Sequence, residues 1–226
     1  MNKISKKINN QSGMTYIELI VVIAIFSIMS GIALVNNRSF NDQVVVTNFA
    51  QDIALQVVNQ QKSAVFGKLP DISQQPYINT VMSNLGLTSW KPAYGAYFDS
   101  TPGSNNRFIL FTDATQDNFY SGNNCVVTND FSVDECSDLI NFTGGVKILY
   151  ICTEMPGDPP CFDLTTNNLV ADAGSASVVF TRPNSNAVIF TDGAQFDGSI
   201  RVVISNQDES VKKSIVISSS GKIAVE

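Results

Sequence analysis

The sequence predicts an α+β chain in which one long N-terminal α-helix packs on an antiparallel, β-rich globular head. Three observations predict it. Residues 14–35 are apolar almost throughout. The residues after them place apolar side chains every three or four positions as far as Phe66. Beyond Lys68, short β-branched and aromatic runs alternate with Gly, Pro, Asn and Asp.

Residues 1–13 are polar and basic, carrying Lys3, Lys6 and Lys7 and ending at Gly13. The next 22 residues, Met14 to Val35, contain a few hydroxyls and a single carboxylate, Glu18. As a helix this stretch would be ~33 Å long, enough to span a bilayer. The lysines would keep the amino end on the cytoplasmic side, giving a single pass, N-in and C-out, in the cytoplasmic membrane. An ionised carboxylate in such a helix costs roughly 2.5 to 3.5 kcal/mol at mid-bilayer, so Glu18 asks for a cationic partner.

From residue 36 to residue 67 the pattern becomes amphipathic. Val46, Phe49, Ala50, Ile53, Val57 and Ala64 share one face, and Asn48, Asp52, Gln56, Asn59 and Gln60 fill the other. Asn36 to Ser39 would loosen the helix, and Gly67 followed by Pro70 marks its end. A helix continuous from Met14 to about Phe66 would be ~80 Å long; the alternative is a membrane anchor followed by a separate short helix.

Residues 68–226 form the head. Tyr94–Phe98 and Arg107–Thr112 flank a turn-forming stretch that contains Pro102-Gly103, which predicts a β-hairpin. Ser177–Arg182, Ala187–Thr191, Ile200–Ser205, Ser214–Ser218 and Lys222–Val225 follow as strands. The head is large enough for one compact domain, and no linker argues for a second.

Cys125, Cys136, Cys152 and Cys161 all fall on the outer side of the expected membrane, where disulfides form. Proximity favours Cys125 with Cys136 and Cys152 with Cys161, the second pair clamping Pro156–Pro160. A metal site is the weaker alternative, since there is no CxxC and no histidine. The stapled region, about 120–165, reads as an irregular insertion and a place for function specific to this chain.

The chemistry the sequence offers is sparse. Without histidine there is no imidazole catalysis, and without G-x-S-x-G no serine triad, so no catalytic residue, resident metal or cofactor is expected. Asp113 to Asp117 has the alternation of a calcium loop but lacks Gly at its sixth position and Glu at its twelfth, Asn124; a turn capped by aspartates fits better. Asp130, Asp134, Glu135 and Asp138 read as a solvated acidic face.

Gly13 followed by Met14, with Glu18 five residues into the new chain and the run Ile-Glu-Leu-Ile-Val-Val-Ile-Ala-Ile behind it, resembles the signature of type IV pilins and pseudopilins. The resemblance implies that residues 1–13 are a leader and that a prepilin peptidase cuts after Gly13 and N-methylates Met14. It further implies that Glu18 pairs with a neighbouring subunit's amine during filament assembly. Partners would be other pilin or pseudopilin subunits, the peptidase, an inner-membrane assembly platform, and membrane lipid before assembly into an extracellular or periplasmic filament. Met14 stands where the family usually has Phe, and Val35 stands where major pilins commonly have Pro, which points to a minor subunit. The head strands, from Val-Val-Phe-Thr-Arg-Pro to Ser-Ser-Gly-Lys-Ile-Ala-Val, resemble the minor pseudopilin H and FimT group.

Two other readings compete. A secretory signal cut after Gly31-Ile32-Ala33 would release a soluble β-rich protein starting at Leu34. A DNA-uptake subunit would bind nucleic acid through Arg201, Lys212, Lys213 and Lys222. Loss of the leader leaves 11 basic against 20 acidic residues, a charge of −9, which disfavours nucleic acid as a partner.

Overall fold

The computed structural model describes residues 13–69, 75–86, 88–89, 91, 93–122, 125, 135–155, 161–163, 168–169, 173–183 and 185–226, with backbone only at 33–39, 76–77, 85, 162–163 and 168–169. Its contacts divide the chain into two units, Met1–Asn41 and Asp42–Glu226. Helix α1 is Tyr16–Phe66. The leader lysines, Asn124, Asp130, Asp134 and Pro156–Pro160 lie outside the described residues, as does Pro70, and the loosening expected at Asn36 to Ser39 falls where side chains are not described.

In the first unit the described part of α1 turns apolar side chains outward on every face. Tyr16, Ile17, Val22, Phe26 and Met29 are all more than half exposed. Ser27 donates its hydroxyl to the carbonyl of Ile23 at 2.8 Å, so it brings no unmet polar group into this surface. Among the described residues no helix is long and apolar enough to cross a membrane. The expected span, Met14–Val35, runs into residues 33–39.

In the second unit α1 becomes one-sided, as its spacing predicts. Val46, Ala50, Ile53, Val57 and Ala64 are fully buried, Phe49 packs edge-on against Phe142, and Asn48, Asp52 and Asn59 are exposed. The helix stops in a Schellman motif: Lys68 N–H reaches Ser63 O at 2.9 Å and Gly67 N–H reaches Ala64 O at 3.1 Å, with Gly67 at φ 64°. A short helix, α2 (Gln75–Leu85), follows; the turn-rich composition after Lys68 gave no sign of it.

The strands are β1 (Ala93–Asp99), β2 (Arg107–Thr112), β3 (Cys136–Asn141), β4 (Lys147–Glu154), β5 (Phe162–Asp163), β6 (Asn168–Leu169), β7 (Ser175–Thr181), β8 (Ala187–Thr191), β9 (Ala194–Phe196), β10 (Ser199–Ser205), β11 (Lys212–Ser218) and β12 (Ile223–Val225). All pair antiparallel, in a six-stranded sheet ordered β3-β2-β1-β7-β8-β9, a four-stranded sheet ordered β12-β11-β10-β4, and the small β5-β6 pair. The α+β architecture and the hairpin at residues 93–112 therefore stand as the sequence predicts them. The region from Cys125 to Cys161 does not: its described part holds β3 and β4, and β4 brings Ile148 and Ile151, both fully buried, into the main core.

Period-two alternation explains why both faces of the larger sheet are covered. Tyr94, Ala96 and Phe98 of β1, Phe108 and Leu110 of β2, and Val178 and Phe180 of β7 join α1 and the smaller sheet in the main core. Ile109, Phe111 and Val179 point the other way, into a second cluster with Tyr120 and Cys125. Gly95 makes this close packing possible. A Cβ there would lie 2.5 Å from the Phe111 ring and 2.7 Å from the Val178 carbonyl oxygen.

Candidate functional site: the processing and assembly segment

Thr15 and Glu18 build the start of α1 between them. The Glu18 carboxylate accepts the Thr15 backbone N–H and the Thr15 hydroxyl, each at 2.8 Å, and Glu18 N–H points back to the Thr15 oxygen at 3.4 Å. This is a capping box, in which Thr15 is the N-cap and Glu18 the third helical residue. Glu18 thus has local donors where its apolar surroundings alone suggest an unmet charge. The Thr-x-x-Glu spacing carries this in the sequence, and Thr15 is the hydrogen-bonding neighbour that attention to the carboxylate alone misses.

The bond between Gly13 and Met14 precedes this cap. Gly13, Met14 and Thr15 are non-helical and exposed. Among the described residues a Cβ on Gly13 would meet nothing within 4 Å, and its φ is outside the left-handed range. Nothing in the described packing asks for glycine at 13.

The cysteines pair as Cys125–Cys136 and Cys152–Cys161, with Cα–Cα distances of 5.3 and 5.6 Å. The acidic residues around the first pair behave differently from the solvated face expected of them. Asp138 is exposed, but Glu135 is buried, because the loop after β2 wraps it with donors. Its Oε1 accepts the amides of Ala114 and Thr115 at 2.9 and 3.0 Å and the Thr115 hydroxyl at 2.8 Å, while Oε2 accepts the Ser121 amide at 3.2 Å. Asp113, also buried, accepts the Asn118 amide, and Asp117 accepts the Phe119 amide and the Ser121 hydroxyl.

Glu135, Asp113 and Asp117 bring oxygens within 4.8 Å of one another. Those oxygens serve protein donors, so the group acts as a loop staple of the kind expected from capping aspartates. Burial, with Asp117 adding repulsion, pushes Asp113 up to about 6. Burial also pushes Glu135 up to about 7, with Asp113 adding to it and the Thr115 and Ser121 donors opposing. A second trio, Cys152, Glu154 and Cys161, includes the sulfurs of a disulfide, which are not thiolate ligands.

The four cations considered for nucleic acid are not one free patch. Arg201 is mostly buried and bound inside the head: its Nε pairs with Glu154, and its Nη1 meets Glu226 Oε2 and Ser214 Oγ at 2.7 Å each. Lys212 and Lys222 are exposed and Lys213 is half-buried. The commitment of Arg201 to two carboxylates is not visible in the sequence, since 47 residues separate Arg201 from Glu154.

Residues 8–34 match the family model of the prokaryotic N-terminal methylation motif. The chain thus carries a type IV pilin-type prepilin segment, and the motif encloses Gly13, Met14, Thr15 and Glu18. Neither a search of curated proteins nor one of solved structures finds a match.

Proposed function

We propose that this chain is a structural, non-enzymatic subunit of a type IV pilus or a related pseudopilus, cut between Gly13 and Met14 and methylated on Met14. Residues 1–13 are the leader, 14–35 the membrane and filament-core helix, 36–67 its amphipathic continuation and 68–226 the head. The observation that carries this reading is the methylation motif laid over a helix with apolar side chains exposed on every face. Such a surface needs cover, from lipid before assembly and from neighbouring helices in a filament.

Cleavage creates an α-amino cation at Met14, and methylation leaves a secondary amine that still protonates. Glu18, at the fifth position after the cut, is the carboxylate that receives such an amine from an adjoining subunit. A pair of this kind fixes register more reliably than it adds net stability. The absence of proline from the start of the sequence to Leu69 supports a minor role, because a helix without that breaker lacks the usual melting point of a major subunit. The order of the C-terminal strands supports a head of the pseudopilin H and FimT kind. The other components are the prepilin peptidase, partner subunits and an inner-membrane platform that supplies the energy for extrusion.

Glu18→Ala tests the reading. The variant is expected to be cut and methylated, with its head folded, and to be missing from sheared filaments in a cell that incorporates the wild-type chain. Normal incorporation would remove Glu18 from the mechanism.

A further inference from the structure

Resting on the prepilin reading above, we infer that Thr15 is a positioning residue for leader cleavage. As N-cap it starts the helix at Tyr16, and so holds the Gly13–Met14 bond in non-helical, exposed chain where a peptidase can take it.

The geometry gives Thr15 two bonds that fix the start. Its hydroxyl oxygen faces the Glu18 amide at 3.4 Å and its hydroxyl proton goes to Glu18 Oε2 at 2.8 Å. The Leu19 amide closes the first helical turn on the Thr15 carbonyl at 3.2 Å. One residue earlier the backbone is already outside the helix, and Met14 is 66% exposed. A peptide bond inside a helix has its carbonyl turned along the axis and its neighbours wound around it, whereas proteolysis takes accessible, non-helical chain.

Of the two residues flanking the cut, Gly13 resists the helix by only about 1 kcal/mol relative to alanine. Met14 is a good helix former, and Ser12 offers the next N-cap-type side chain upstream. With the cap lost at 15, a helix capped at 12 would place Gly13 and Met14 in its first turn and enclose the scissile bond. The Thr15 hydroxyl is the group that decides between the two starts. Glu18 matters less here, because the hydroxyl oxygen still meets the residue-18 amide when the carboxylate is gone. Assembly and processing are thereby divided between two side chains of one capping box.

The test is the time course of leader removal from the full-length chain in membranes that contain a prepilin peptidase, comparing wild type with Thr15→Val, Thr15→Ser and Glu18→Gln. Valine keeps the shape of threonine and removes the hydroxyl. Thr15→Val should be cut about fivefold more slowly, the Boltzmann factor of a typical N-cap loss. Thr15→Ser, which restores a cap, and Glu18→Gln, which keeps an acceptor for the Thr15 amide, should be cut at the wild-type rate. Thr15→Val cut as fast as wild type overturns the inference, and so does Thr15→Ser cut as slowly as valine. A wild-type chain left uncut overturns the prepilin reading itself.

Discussion

Glu135→Gln should make the head more stable at pH 8 and slightly less stable at pH 4. Glu135 is 2% exposed and Asp113 fully buried, and the folded chain raises both, to about 7 and about 6, from 4.5 and 3.8. A carboxyl group raised on folding holds its proton more tightly in the native state. Its contribution is fully present below the unfolded pKa and lost as pH climbs through the folded one. The window for Glu135 thus runs from about pH 4.5 to pH 7.

At 1.36 kcal/mol per pKa unit, the shift of Glu135 amounts to about 3 kcal/mol. Glutamine keeps the volume and an oxygen for the Ala114 and Thr115 amides, but its nitrogen at the Oε2 position cannot accept the Ser121 amide, a loss of about 1 kcal/mol at any pH. The assay is urea unfolding of the purified chain in detergent at pH 4 and pH 8, followed by a signal from the head. At pH 4 the variant should be about 1 kcal/mol less stable, the cost of the Ser121 bond. At pH 8 the variant should be about 2 kcal/mol more stable, a midpoint shift of about 0.7 to 2 M urea for a small domain. A variant no more stable than wild type at pH 8 would refute the claim that burial holds this acid in its neutral form.

Two further substitutions probe the head. Arg201→Ala leaves Glu154, whose side chain is 13% exposed, without its cation and should cost about 3 to 5 kcal/mol in urea unfolding; a loss under 1 kcal/mol would show that solvent replaces the pair. Gly95→Ala drives a methyl group into the Phe111 ring and the Val178 carbonyl and should cost about 1 to 3 kcal/mol; an unchanged thermal midpoint would show that the ring gives way freely.

The legible parts of the fold are those governed by local period. The buried face of α1 from Val46 to Ala64 follows from three- and four-residue spacing, and the strands from β7 onward follow from β-branched runs between turns. Strand β3 was not legible: Cys136-Ser-Asp-Leu-Ile-Asn is polar at its start, and its role as an edge strand depends on pairing with β2, reached across a long connection. Strand β4 has a legible core, Ile-Leu-Tyr-Ile, but cysteines on both sides of it draw the eye to a staple. The burial of Glu135 could not be seen, because donors 14 to 21 residues away create it. In the candidate site Gly13, Met14 and Glu18 are readable as a spacing, and Thr15 becomes prominent once the hydrogen bonds place it.

The central claim is that the apolar helix stays on the mature chain and that Met14 becomes its first residue. Its most direct test is the intact mass and N-terminal sequence of the protein recovered from cells that contain a prepilin peptidase. The account predicts a chain starting at Met14 and carrying one added methyl group. A chain starting at Leu34 would make this a secreted protein without its helix, and an uncut, unmethylated chain would remove the filament subunit altogether.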